Sequence, residues 1–118
     1  MRLLSRLFAR PASVDPVWVE AETLSMQLAS SDPPLVVDVR GSDEFIGPLG
    51  HIAGALNVPL PELEAHKAEL IRQQRPLVAV CKTDRRSSAA AEQLRAAGAA
   101  DVAVLRGGME RWRALGLD

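Results

Sequence analysis

The sequence predicts an α/β domain organised around a mostly parallel sheet, and three observations carry that prediction. Short apolar runs rich in Val and Leu recur at residues 35–39, 77–80 and 102–105 with almost no polar interruption, the pattern of strands buried on both faces. Segments with helical patterning lie between them. Pro and Gly stand at the boundaries of both kinds of segment, where they stop one element and turn the chain toward the next.

Taken in order, residues 17–19 are short and apolar and read as a first strand. Residues 20–28 follow as a helix, with Leu24 and Leu28 one turn apart on one face. Residues 30–34 are a turn-rich break, and residues 35–39 form the first strongly buried strand. Residues 43–46 read as a helical turn, Gly47, Pro48 and Gly50 as a loop, and residues 55–58 as another short strand stopped by Pro59 and Pro61. Pro61 suits the first turn of a helix, where its missing N–H would find no intrahelical partner anyway. Residues 62–73 are amphipathic, with Leu63, Leu70 and Ile71 on the apolar face, and Pro76 ends them. The next buried strand, residues 77–80, delivers Cys81 at its carboxyl end. Residues 86–97 are Ala-rich and strongly helical, closed by Gly98. Residues 102–105 are the third buried strand, Gly107 and Gly108 turn the chain, and residues 109–115 make a last helix.

The chain has 118 residues, enough for one domain that buries its own core without staples. Residues 1–16 are read as an N-terminal leader and linker, and residues 17–118 as the domain. Arg2, Arg6 and Arg10 alternate with Leu3, Leu4, Leu7 and Phe8, so the leader could touch an anionic membrane surface or act as a targeting segment. No stretch approaches the roughly 20 apolar residues of a membrane span. The net charge of -1 and the aromatic content of 3% exclude the basic surface and stacking platforms of nucleic-acid binding. Cys81 is the one cysteine, so no disulfide forms within the chain. Cys81, His51 and His66 have no zinc-ligand spacing, so no metal site is expected.

The chemistry concentrates at Cys81-Lys82-Thr83-Asp84-Arg85-Arg86-Ser87, between a buried strand and a helix. Four residues separate Cys81 from Arg86, and a loop of that size can wrap its N–H groups around a point above the sulfur. The helix that follows adds free N–H groups and the positive end of its dipole. Lys82, Arg85 and Arg86 add positive charge, which favours the reactive thiolate. Asp84 opposes it, so its carboxylate is expected to point outward or to cap the helix. The residues leave two readings open, an inert buried thiol at a strand end or a reactive one in an anion cradle.

Four landmarks stand in order along the chain. They are Asp38-Val39-Arg40 with Glu44-Phe45, Gly50-His51-Ile52-Ala53-Gly54-Ala55-Leu56-Asn57-Val58-Pro59, Cys81 with Arg86, and Leu105-Arg106-Gly107-Gly108-Met109-Glu110-Arg111-Trp112. With this set the chain resembles rhodanese domains, the thiosulfate sulfurtransferase-like family, over roughly residues 18–117. The resemblance implies a rhodanese-like fold, a parallel sheet of about five strands flanked by helices on both faces. It implies transfer of sulfane sulfur from a small anionic donor such as thiosulfate to cyanide, a thiol or a protein cysteine, with no cofactor. Cys81 would be the nucleophile that becomes a persulfide. The amides of Lys82, Thr83, Asp84, Arg85 and Arg86 would bind the substrate, and Arg86 would fix the loop or contact the anion. Lys82 would attract the donor. Asp38, Arg40 and Glu44 look like a supporting ion-pair set, and His51 like a structural histidine bonded to backbone. Trp112 is a core residue of the last helix.

Two departures accompany the resemblance. Asp84 stands where many family loops have Gly, a residue suited to left-handed backbone. Ile46-Gly47-Pro48-Leu49 lengthens a loop that could border the active face. Three rival readings compete with this one. A Cys-loop phosphatase needs five residues between Cys and Arg, but position 87 is Ser, and position 80 is Val where that motif has His. A binding module of the same fold would typically lack the cysteine. A redox-sensing thiol would have no second cysteine to resolve a sulfenic acid within the chain. Reducing conditions suit a persulfide carrier, so a cytoplasmic location is expected.

Overall fold

The structure is a computed structural model and describes residues 16–118; the basic segment at residues 1–10 lies outside them. Five strands alternate with helices. Strand β1 is Trp18–Val19, followed by helix α1, Ala21–Leu28. Strand β2, Leu35–Asp38, leads to a one-turn helix α2, Ser42–Phe45. Strand β3 is Leu56–Asn57, and a 3-10 turn at Leu60–Glu62 runs into helix α3, Leu63–Arg72. Strand β4, Leu77–Val80, precedes helix α4, Arg85–Ala96. Strand β5, Val102–Leu105, precedes helix α5, Gly108–Ala114. The strands form one sheet in the order β1-β5-β4-β2-β3, and every pairing is parallel. β4 is therefore the central strand.

The near-continuous apolar runs make this sheet because both of its faces are covered. Side chains alternate across a strand, so each run feeds two cores. Leu35, Val37, Leu77, Ala79, Val102 and Val104 face α3 and α4, meeting Leu63, Leu70, Ala90, Ala91 and Leu94. Val36, Val78, Val80 and Leu105 face α1 and α5, meeting Leu24, Met109 and Trp112. Leu24, Leu63 and Leu94 are fully buried, and each contributes roughly 1.5–3 kcal/mol by leaving water. Trp112 fills the second core, with its Nε1–H left unpartnered. No helix among the described residues is long and apolar enough to cross a membrane.

Differences from the sequence reading are confined to element ends. β3 keeps only two of its four expected residues. The Ala55 amide turns back to the Ile52 carbonyl at 3.0 Å before the strand starts, and Pro59 stops it afterwards. α4 begins one residue early, at Arg85, because Asp84 takes the non-helical position before it with φ -130°. That φ also means the backbone at Asp84 is not left-handed.

Candidate active site

Cys81 follows the central strand directly, at the carboxyl edge of the sheet where ligands of such folds gather. Its side chain shares the α3–α4 face with Ala79, and its residue is 1% exposed. The Ser87 N–H donates to Sγ at 3.3 Å, and Ser87 Oγ lies 3.2 Å from Sγ and 3.2 Å from the Asp84 carbonyl. The hydroxyl has one proton to place. Beside a thiol it gives that proton to Asp84 O and accepts S–H; beside a thiolate it can turn the proton onto sulfur. The amides of residues 82–86 donate to no acceptor among the described residues, so they are available to an anion above Sγ. The arrangement can therefore hold negative charge on the sulfur and on an atom attached to it.

The loop is held in place by the β5–α5 turn. Met109 N donates to Cys81 O at 2.9 Å and Glu110 N to Lys82 O at 3.1 Å. Gly107 N donates to the Asp84 carboxylate at 2.7 Å. Gly108, at φ +55°, is packed so closely that a Cβ there would collide with the carbonyl oxygens of Cys81 and Thr83. Asp84 stands at the N-cap position of α4 but makes no side-chain cap bond. The expectation that it points outward or caps the helix is thus corrected: Gly107 N–H draws it across to α5.

The charged side chains pair as Asp38–Arg40 and Glu44–Arg86, and Arg40 links the two pairs through the Glu44 carbonyl. Arg40 is buried and binds Asp38 through Nε at 2.9 Å and Nη2 at 2.7 Å, and donates to the Glu44 and Gly50 carbonyls at 3.2 and 2.7 Å. The Glu44 carboxylate instead belongs to Arg86, with bonds of 2.7 and 3.1 Å, and accepts the Gly41 N–H at 3.1 Å. The Arg86 hydrogen bond is the main cause that lowers the Glu44 carboxyl to about 2, against the opposing effect of burial. Arg86 is held above its usual value, first by that bond and then by the charges of Glu44, Cys81 and Asp38. So the Arg86 guanidinium, which sequence placed on the anion or on the loop, is tied to α2.

His51 Nδ1 donates to the Phe45 carbonyl at 2.8 Å, since a carbonyl only accepts, and its ring stacks on Phe45 with centroids 3.6 Å apart. Lys82 reaches Glu110 at 3.7 Å with both side chains half exposed, a contact of little energetic weight. Thr83 and Arg85 are exposed. Pro48 and Leu49, from the lengthened loop, line a cleft of about 400 Å³ together with Arg40, Glu44, Lys82 and Glu110. Hollows of about 430 and 510 Å³ open instead around Pro76, Leu77 and Asp101 at the amino ends of the strands, away from the sulfur.

Three participants escaped the sequence reading. Ser87 left a legible signal, because it opens the buried stripe Ser87, Ala90, Ala91, Leu94 of α4 as its one polar member. Asn57 donates to the Asp38 and Arg40 carbonyls at 3.1 and 2.9 Å. The third, the turn that braces the loop, depends on contacts 23 or more residues apart and has no local signature.

Comparison with known proteins bears on this geometry. Residues 20–115 match the family model described as the Rhodanese-like domain. The chain is 42% identical over 77 residues to the uncharacterized protein YqhL of Bacillus subtilis, 65% of this chain, and spans 59% of that protein's length. It is 33% identical over 99 residues to a protein of Allochromatium vinosum named sulfurtransferase, covering 84% of this chain and 90% of that one. Among solved structures it is similar to a rhodanese-related protein from Thermoplasma volcanium. That likeness has a TM-score of 0.74 and 27% identity, over 86% of this chain and 95% of the other.

Proposed function

The chain belongs to the Rhodanese-like domain family, and from that premise we propose that it carries sulfane sulfur as a persulfide on Cys81. The observation that carries the reading is the surroundings of Sγ: a buried sulfur at the end of the central strand, with Ser87 N–H upon it and five successive amides without acceptors in the loop that follows it.

The cycle has two displacements. The Cys81 thiolate attacks the outer sulfur of a donor such as thiosulfate. A new S–S bond forms, and sulfite leaves with the electron pair of the old one. Cys81 is then an anionic persulfide. A thiolate acceptor, small or on a protein, attacks the terminal sulfur, takes it as its own persulfide and returns Cys81 to the thiolate; cyanide leaves as thiocyanate. In this reading the amides of Lys82, Thr83, Asp84, Arg85 and Arg86 hold the terminal sulfur, and Ser87 serves the inner one. Lys82 attracts the donor. Arg86, tied to Glu44, stiffens the loop from the side, and Asp38, Arg40 and His51 support the floor behind it. Residues 17–118 are the unit that performs the transfer, in a reducing compartment such as the cytoplasm.

Intact-protein mass after incubation with thiosulfate tests this. Wild type should gain one sulfur, about 32 Da, that cyanide removes, while folded Cys81→Ser gains none. A gain in Cys81→Ser would exclude the mechanism. No gain with thiosulfate or any persulfide donor would favour a binding module of the same fold.

A further inference from the structure

The Cys81 loop carries one acidic residue, Asp84. At an N-cap an Asp carboxylate normally accepts an N–H from the first turn of its own helix. Here it makes no such bond and reaches instead to Gly107 N, 23 residues along the chain, at 2.7 Å. A carboxylate accepting an N–H at that distance makes a charge-assisted bond, roughly twice as strong as a neutral one.

The place of that bond gives it a function. Three amides, of the β5–α5 turn and the first turn of α5, are directed onto the cradle loop: Gly107 to Asp84, Met109 to Cys81 and Glu110 to Lys82. Gly107 and Gly108 have φ of +80° and +55°, the left-handed backbone that aims them there. Two of the three bonds end on main-chain carbonyls. The third ends on a side chain, so it is the one that sequence can add or remove. Asp84 is also joined to the sulfur from its other end. Its carbonyl accepts the Ser87 hydroxyl at 3.2 Å and the Ser88 N–H at 3.0 Å, and Ser87 contacts Sγ. One residue thus links the α5 turn, the loop and the sulfur's own hydrogen-bond partner. The same bond directs the Asp84 carboxylate toward α5.

We propose that Asp84 is a positioning residue for sulfur transfer, its carboxylate clamping the Cys81 loop to the Gly107 amide and so fixing the cradle amides and Ser87 around Sγ. The proposal rests on the reading of Cys81 as the sulfur carrier.

Two variants separate the clamp from charge and from bulk stability. Asp84→Asn keeps an oxygen acceptor and loses the charge; Asp84→Ala loses both. Hydrogen exchange of the Gly107 amide, followed by NMR, reads the clamp directly, and transfer from thiosulfate or a small persulfide to cyanide reads its consequence. In Asp84→Ala the Gly107 amide should lose protection, and kcat should fall by about tenfold with KM little changed. Asp84→Asn should restore most of both. Unchanged Gly107 protection and kcat in Asp84→Ala would overturn the proposal. So would an Asp84→Asn variant that keeps the Gly107 amide protected yet turns over as slowly as Asp84→Ala, which would assign the effect to charge at the sulfur and not to the clamp, or a lowered melting temperature with kcat intact, which would make Asp84 structural only. If Cys81 accepts no sulfur from any donor, the sulfur-carrier reading fails by itself. Gly107 exchange and the rate of Cys81 alkylation by iodoacetamide in the three proteins then still decide whether the clamp exists and reaches the sulfur.

Discussion

At the scale of single residues, the hydrogen bonds at the sulfur come from Ser87. Its N–H remains whatever the side chain, but its hydroxyl is the group that can follow the protonation of Sγ. Ser87→Ala should therefore leave the fold intact and slow Cys81 persulfide formation by about tenfold, the scale of one lost hydrogen bond to a charged group; stopped mass measurements at increasing times check this. Glu44 gives a pH-dependent prediction. Its folded value, about 2, lies below the ordinary 4.5, so the Glu44–Arg86 pair stabilises the fold fully above about 4.5 and loses that contribution as pH falls toward 2. Both side chains are about one-third exposed, so solvent screening brings the contribution down to about 1 kcal/mol. Glu44→Gln should be less stable than wild type by that amount at pH 7, and urea unfolding curves of the two proteins should converge between pH 4.5 and 2.

At the scale of elements, the site is a contact between two turns, the one after β4 and the one after β5. Gly108 shows how close that contact is. An added Cβ meets the carbonyls of Cys81 and Thr83, both main chain and unable to move away without the loop. Gly98 is also left-handed, at φ +109°, but faces open space. Gly98→Ala should cost about 1–2 kcal/mol from backbone strain alone and leave transfer unchanged. Gly108→Ala should cost roughly 3 kcal/mol or more and depress transfer in the protein that remains folded. Urea unfolding with kinetics on both variants distinguishes strain from collision. Sequence could supply the two glycines as a turn, since Gly is the residue for φ > 0. It could not supply what lies against them, because the packing of one turn on another is written in no local pattern.

At the scale of the whole molecule, the sheet and its two cores were legible because uninterrupted apolar runs such as Leu77–Val80 have one stable use, a strand covered on both sides. The position of Cys81 at a strand end followed from the same runs. Side-chain directions did not follow: Arg86 turns to Glu44 and Asp84 to Gly107, choices made between groups more than 20 residues apart. The two-sided core leads to a last prediction. Leu94 anchors α4, which carries Arg86 and Ser87, on one face of the sheet; Leu24 anchors α1 on the other. Both are fully buried, so Leu94→Ala and Leu24→Ala should each cost about 2–5 kcal/mol. Their effects on sulfur transfer should differ. A cavity under α4 loosens the helix whose first turn touches Sγ, whereas a cavity under α1 reaches the cradle only indirectly, through Met109 of α5. Below the unfolding midpoint of each variant, with activity expressed per folded molecule, Leu94→Ala should lower kcat and Leu24→Ala should leave it near wild type. Equal losses would mean that the sheet transmits strain from either face to the loop. No loss in either would mean that the two turns hold the cradle by themselves.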